Sequence, residues 1–271
     1  MTFLLQTQGE RGASLAHHIV LYSCYYGAPE SFNPDVFGPA LGHFPCFIFS
    51  DDPALPVPDG VTLVHDPLLG LDPNRASRRA KLMPDRYFPF TTWSIYVDNN
   101  ARLIADPQDL ITHTTLLGNY PIYAIRHPHR SCCYAEAKVC KRTQKDTVER
   151  IDGQMIHYSN LGFRKNAGLL HGAFLIRDHN HPKLAALGQV WFEHVLRYSR
   201  RDQLSFAFVA EALNVEPFYM DNALNGSVMF RWPIYIDDDR RDKWKRSYWK
   251  RVIKPMLRKL RNKPFNTEQP S

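Results

Sequence analysis

Two alternating hydrophobic patterns run along this chain. Short runs rich in β-branched and aromatic residues recur at 19–25, 46–50, 61–64, 93–97, 120–125 and 173–176. Runs of that length and composition predict strands, several of them buried on both faces. Between and after them, apolar residues recur at three-to-four spacing and predict helices over 75–83, 107–117, 134–141, 147–159, 184–198 and 203–213. Pro84 stops the first of these helices, and Asp202 stands at the start of the last. No internal repeat or low-complexity segment interrupts the pattern. Strands alternating with helices predict an α/β sheet.

Polar residues at strand ends add chemistry to this outline. The run Trp93-Ser94-Ile95-Tyr96-Val97 leads directly into Asp98-Asn99-Asn100, and 46–50 leads into Asp51-Asp52. A carboxylate at the end of a buried strand needs a cation, a hydrogen-bond network or water. Open α/β sheets bind ligands at that edge. Asp98 and Asn100, two residues apart, can turn oxygens toward one hard divalent ion, Mn²⁺ or Mg²⁺, which in turn grips a diphosphate. The competing reading is a strand that closes in an Asx turn.

Composition sets outer bounds. The 271 residues suffice for one large domain or two small ones, and 44% hydrophobic with 23% charged content is ordinary for a folded protein. No uncharged apolar run reaches eighteen residues, and residues 1–18 lack the pattern of a signal peptide. Five cysteines (Cys24, Cys46, Cys132, Cys133, Cys140) form no disulfide scaffold pattern and suit a reducing cytosol. The net charge of +7 is concentrated at one end. Residues 240–263 hold twelve Lys or Arg against the single acid Asp242, an excess of eleven, which leaves the rest of the chain near −4. That distribution argues against a nucleic-acid-binding body.

Three further clusters are candidates for binding. Arg75, Arg78, Arg79 and Lys81 lie within seven residues on a predicted helix. The three arginines share a face and Lys81 sits nearer its side. Guanidinium groups suit diphosphate oxygens, and Arg78 with Lys81 are the preferred pair. The alternative is a solvated basic face. His127, His129, Cys132, Cys133 and Cys140 match no familiar zinc-ligand spacing, and the cysteines read more simply as small buried residues. Asp202-Gln203 opens a helix, where an aspartate has a ready role as a cap.

Several segments together resemble one family. They are Lys81-Leu-Met-Pro-Asp-Arg86-Tyr-Phe-Pro89, the Trp93 to Asn100 run, the stretch from Arg126-His127 to Glu136, Gly172-Ala-Phe-Leu-Ile-Arg177-Asp-His179, Trp191-Phe-Glu-His, and Ser199-Arg-Arg-Asp202-Gln203-Leu-Ser205-Phe206. In order and spacing, from about residue 19 to about 235, the chain resembles the TOD/MUCI-type glycosyltransferase-like domain family. The resemblance implies an α/β, GT-A-like (Rossmann-type) mixed central sheet flanked by helices, and transfer of a sugar from a nucleotide-sugar donor. In GT-A enzymes a short Asp-x-Asp-like motif holds the metal, the part Asp98 and Asn100 would take here. One departure matters. The family often carries Asp-Gly-Lys or Asp-Ala-Lys where this chain has Asp98-Asn99-Asn100, so a lysine is missing.

The resemblance also assigns roles. Asp51 and Asp52 would meet base or ribose, Arg78 and Lys81 the diphosphate, and His127 and Arg130 the donor sugar or a phosphate, with Glu136 on a sugar hydroxyl. Asp202, with Gln203 beside it, would stand at the reaction centre. It would serve as general base if the enzyme inverts, or orient the sugar and stabilise oxocarbenium-like charge if it retains. A third metal ligand, if present, would come from Asp221, Asn222 or Asp237. The acceptor would be a glycan or a lipid-linked glycan in polysaccharide assembly.

Residues 1–238 are thus expected to form the catalytic domain and 239–271 a basic tail. In the tail Trp244, Tyr248, Trp249, Val252, Ile253, Met256, Leu257 and Leu260 recur at helical spacing among Lys and Arg. An amphipathic basic helix suits an anionic membrane surface, which predicts a cytoplasmic protein peripherally bound to the membrane's inner face. The rival function is a non-catalytic nucleotide- or carbohydrate-binding module on the same scaffold.

Overall fold

The computed structural model describes residues 18–220 and 228–234. The tail helix and the three late candidates for a metal ligand lie outside the described residues.

Four parallel strands form one half of the central sheet: β1 (Ile19–Tyr25), β2 (Cys46–Ser50), β3 (Val61–His65) and β4 (Trp93–Val97). After the two-residue β5 (Arg102–Leu103) come β6 (Ile122–Arg126), β7 (Leu170–Asp178) and β8 (Phe218–Met220). The seven-stranded order is β3-β2-β1-β4-β7-β6-β8. Strand β7 runs antiparallel to both of its neighbours, and β8 is parallel to β6. A separate two-stranded ladder joins β5 to β9 (Phe230–Arg231). This is the mixed α/β sheet flanked by helices expected of a GT-A-like chain.

Six helices cover the sheet, and local sequence explains their starts. Helix α1 (Pro73–Leu82) has Pro at its first position and Asp72 as N-cap, the carboxylate accepting the Arg75 N–H at 3.2 Å. Helix α2 (Pro107–Leu116) repeats the device with Asp106, and α4 (Val148–Asn160) uses Thr147. Helices α3 (Cys133–Arg142), α5 (Leu184–Arg197) and α6 (Asp202–Ala212) lack such caps. Both sheet faces are covered. Tyr22, Phe49, Tyr96, Trp191 and Phe206 pack in one cluster, while Leu21, Ile48, Ile95, Val97 and Phe174 pack in the other. Every residue of β4 is buried, as its unbroken apolar run predicts.

The structure departs from the sequence reading in three places. Strand β7 is nine residues long, not four, because His171 and Arg177 are buried within it. Strand β6 begins at Ile122 and reaches Arg126. The short strands β5, β8 and β9 are too brief to carry a period.

Candidate active site

Antiparallel pairing of β7 with β4 creates the site. It sets the start of β7 beside the end of β4, with Val97 opposite Phe174 and the Asp98 N–H donating to the Ala173 carbonyl at 2.9 Å. Along β6 the partner jumps from Leu175 (opposite Ala124) to His171 (opposite Ile125), so residues 172–174 bulge out of that ladder. Bulges of this kind re-aim side chains next to active sites. Helix α6 is tied to the same point, because the Gln203 side-chain amide donates to the Leu170 carbonyl at 3.0 Å.

A cavity of about 210 Å³ opens there. Asp98 and Asn100 line it from β4, and Asp202 and Gln203 from α6. Arg78 and Lys81 line it from α1. His171, Gly172, Arg201, Lys145 and Trp232 complete most of the wall. Six of the eleven residues proposed from sequence therefore meet around one space.

The Asp98-Asn99-Asn100 tripeptide divides its labour. The Asp98 carboxylate accepts the Tyr96 hydroxyl at 3.2 Å. Asn99 is buried and structural: its amide oxygen accepts the Asn33 N–H at 2.9 Å, and its nitrogen donates to the Glu30 carboxylate and the Ser31 carbonyl. It thereby fastens the loop after β1. The Asn100 side-chain oxygen is buried with no hydrogen-bond partner. A buried acceptor left without a donor is costly, which suits an oxygen waiting for a cation. Asp98 and Asn100 thus offer the hard oxygen donors that Mn²⁺ or Mg²⁺ prefers. No cluster of three His, Cys, Asp or Glu suited to a metal exists among the described residues. A cation at these two residues would complete its shell from a ligand and water.

Asp202 is the electrostatic centre. It is 2% exposed, 2.7 Å from the Lys81 ammonium and 3.2 Å from Arg78 Nε. Burial alone would raise its pKa, but Lys81, Arg78 and Arg201 outweigh that and hold the carboxyl well below the usual range. Burial pulls Lys81 below its ordinary value, with Asp202 opposing and Arg78 reinforcing the effect. For Arg78, burial is outweighed by Asp202, and its value is raised. Asp202 is not an N-cap in the sense the sequence allowed: it is the first helical residue, and its Oδ1 accepts the Gln203 N–H at 3.0 Å. Gln203 is occupied too, accepting from Arg201 at 2.6 Å as well as donating to Leu170.

The four cations of α1 do not share one face in use. Arg75 is consumed by Asp72, Asp146 and the carbonyls of Val195 and Tyr198. Arg79 pairs with Asp66 at 2.5 Å. Arg78 and Lys81 turn to the cavity. The Lys81 carbonyl is clamped by the Tyr22 hydroxyl at 3.0 Å and by the fully buried Arg177 at 2.7 Å, which fixes the last turn of α1. Gly172 makes room opposite: a Cβ there would lie 3.0 Å from Lys81 Nζ and 3.7 Å from Asp202 Oδ2.

Five proposed residues lie elsewhere. Asp51 accepts the Gly27 N–H through both oxygens, at 3.0 and 3.2 Å. Gly27 has φ +65°, and a Cβ there would strike Pro73 at 2.7 Å. Asp52 accepts the Ala54 N–H at 2.9 Å, the Asx turn expected of such a residue before Pro53. His127, Arg130 and Glu136 bond mainly to one another: Arg130 pairs with Glu136, and its guanidinium lies 3.0 Å from His127 Nε2. Burial, reinforced by Arg130, lowers the His127 pKa to about 4. This cluster reaches the cavity wall only through His171, whose ring centroid is 6.3 Å from that of His127.

Lys145, His171, Arg201 and Trp232 were given no role from sequence. His171 is edge-on to Trp232 at 4.4 Å, and its Nδ1 is buried without a partner. Burial, then Lys81 and Arg201, bring its pKa to about 4. A histidine inside an otherwise apolar run just before a glycine was the available signal. Lys145 lies in the α3–α4 loop with no pattern to mark it.

A sugar-transfer site is what this combination of sheet edge, carboxylates and cations suits, and the family relationship agrees. Residues 61–230 match the family model described as TOD1/MUCI70, glycosyltransferase-like domain. The chain belongs to that family, which gives it a glycosyltransferase-type function. A curated relative, described as a probable hexosyltransferase MUCI70 from Arabidopsis thaliana, is 27% identical over 161 residues, which cover 56% of this chain. The match spans only 27% of that relative's length. Among solved structures, the chain is similar to the apo bifunctional glycosyltransferase WbbM (10% identity, 78% of this chain and 40% of that one, TM-score 0.46). It is likewise similar to apo mouse xyloside xylosyltransferase 1 (9% identity, 76% and 85%, TM-score 0.46).

Proposed function

We propose that the chain transfers a sugar from a nucleotide-sugar donor to a glycan or lipid-linked glycan acceptor, with the reacting carbon held between Asp98 and Asp202. The observation that carries this reading is the single cavity where the β4 carboxylate, an unsatisfied amide oxygen and a buried carboxylate–cation trio meet. Mn²⁺ or Mg²⁺ held by Asp98 and Asn100 would supply charge neutralisation at the departing diphosphate. Arg78 and Lys81 add fixed positive charge at the same place, in a pocket where reorganisation is small.

Asp202 works as a fixed negative charge. A carboxylate held so far below its usual pKa is a weak base, so it suits stabilising positive charge on the sugar, or accepting a sugar hydroxyl, better than taking a proton from the acceptor. This favours the retaining role over the inverting one. His171, neutral at physiological pH, adds an imidazole to the wall beside Trp232, whose ring offers the apolar face that sugars stack on.

Donor hydrolysis across a panel of nucleotide-sugars, with and without Mn²⁺, tests the reading. Metal-dependent release of nucleoside diphosphate from one donor, lost in Asp98→Ala with the fold intact, is expected. Full turnover in that variant would rule the assignment out. Binding of a nucleotide-sugar without hydrolysis or transfer would favour the non-catalytic module instead.

A further inference from the structure

We infer that Lys145 and Arg201 form a dedicated subsite for a phosphate-class anion, distinct from the Arg78–Lys81 pair; the inference rests on the sugar-transfer reading above. The charges around the cavity do not balance. Arg78, Lys81, Lys145 and Arg201 face only Asp98 and Asp202, and His171 is neutral. Asp202 is already engaged with Arg78 and Lys81 at 3.2 and 2.7 Å. The positive excess therefore falls on Lys145 and Arg201. Arg201 donates to the Gln203 side chain, but its Nε is buried and has no acceptor. A guanidinium nitrogen left bare in a cavity wall costs free energy unless an anion completes it.

The pair is also held in place before any ligand arrives. The Arg200 side chain donates to the Lys145 carbonyl at 2.8 Å, and the Arg200 N–H donates to Asp146 at 2.7 Å. Asp146 is anchored in turn to Arg75 at 3.4 Å. The Arg201 N–H donates to the buried Ser199 hydroxyl at 3.2 Å. These bonds latch the α3–α4 loop to the turn before α6, so the two cations stand side by side on one rim. Binding to a preformed pair loses little conformational entropy. Burial and then Arg201 pull the Lys145 pKa down, consistent with two close cations short of negative charge. The start of α6 opens on the same rim and adds its positive end. The shared chemistry is a phosphate dianion, supplied by the donor's diphosphate or by the phosphate of a lipid-linked acceptor.

Calorimetric titration of inorganic pyrophosphate, at fixed Mn²⁺, into the full chain and into Lys145→Gln, Arg201→Gln and Arg201→Lys tests this. Each glutamine variant should bind about tenfold more weakly or worse, with Arg201→Lys recovering part of the loss. Affinity within twofold of the parent in folded variants would overturn the subsite. Lys145→Gln, on an exposed loop, decides the matter if Arg201→Gln does not fold. Competition by UDP or GDP would assign the anion to the donor, and competition by a short prenyl phosphate alone would assign it to the acceptor. Failure of both to compete overturns the inference. Pyrophosphate binding requires no turnover. Its loss in these variants with no donor hydrolysed would sink the transferase reading alone, while donor hydrolysis with unchanged pyrophosphate binding would sink only this subsite.

Discussion

Two strand ends that look alike in sequence behave differently in the fold. Strand β2 ends in Asp51-Asp52, and β4 ends in Asp98-Asn99-Asn100. At β2 the acids serve the backbone: Asp51 holds the Gly27 N–H with both oxygens, and Asp52 closes a turn onto Ala54. At β4 the middle residue does that structural work, with Asn99 fastening the loop after β1, while Asp98 and Asn100 keep oxygens for the cavity. A polar strand end is chemically available only when a neighbour relieves it of the turn. At β4 that relief comes from Asn99 and from the antiparallel β7, which takes the Asp98 N–H.

The contrast can be attacked by substitution. The largest effect should come from Asp202→Asn, which leaves Lys81 and Arg78 buried beside a neutral amide. Breaking a buried ion pair in this way costs about 3–5 kcal/mol, and loss of the fixed charge should slow donor turnover by about 10²–10³-fold. Thermal melting and donor hydrolysis measured together check both, and a variant as stable and active as the parent would contradict the account. Next is the strand-end pair. Asp98→Ala should cut turnover by about 100-fold or more with little change in melting temperature. Asp51→Asn should leave turnover within about threefold and instead cost about 1 kcal/mol of stability. A reversal of that pattern would show that the β2 end, not the β4 end, faces the substrate.

A smaller effect concerns pH. His127, His171 and His179 have folded pKa values of about 4 against an ordinary 6.5, burial being the main cause. They are neutral in the fold and take up protons on unfolding. Their contribution to stability is complete above pH 6.5 and is lost as pH falls toward 4. The melting temperature should therefore fall progressively across that window, and a flat profile down to pH 5 would count against three buried neutral histidines. The smallest effect belongs to Asp52→Ala, which removes one Asx turn and should cost about 0.5–1 kcal/mol with no change in turnover.

Much of this was legible in sequence, for reasons visible residue by residue. Apolar runs and capping residues placed β1, β2 and β4 to the residue, and α1, α2 and α4 to within a residue or two at either end. The pairing of Arg78 and Lys81 over Asp202 follows from their spacing on α1 once the fold is known. The rest depended on contacts remote in sequence. Nothing local says that Arg75 is taken by Asp146 and Arg79 by Asp66, leaving only two of the four cations for the cavity. Lys145 and Trp232 reach the site from separate loops, joined only by the sheet's crossovers. The polar ends of β7 hid its length because His171 and Arg177 are buried for specific contacts, not for hydrophobicity.

The account stands on Asp98 and Asn100 sharing one cation at the cavity mouth. Anomalous scattering from crystals soaked in Mn²⁺ with a nucleoside diphosphate tests this most directly. A single strong peak within bonding distance of the Asp98 carboxylate and the Asn100 side-chain oxygen is predicted. A Mn²⁺ peak elsewhere, with these two oxygens contacting only protein or solvent, would contradict it.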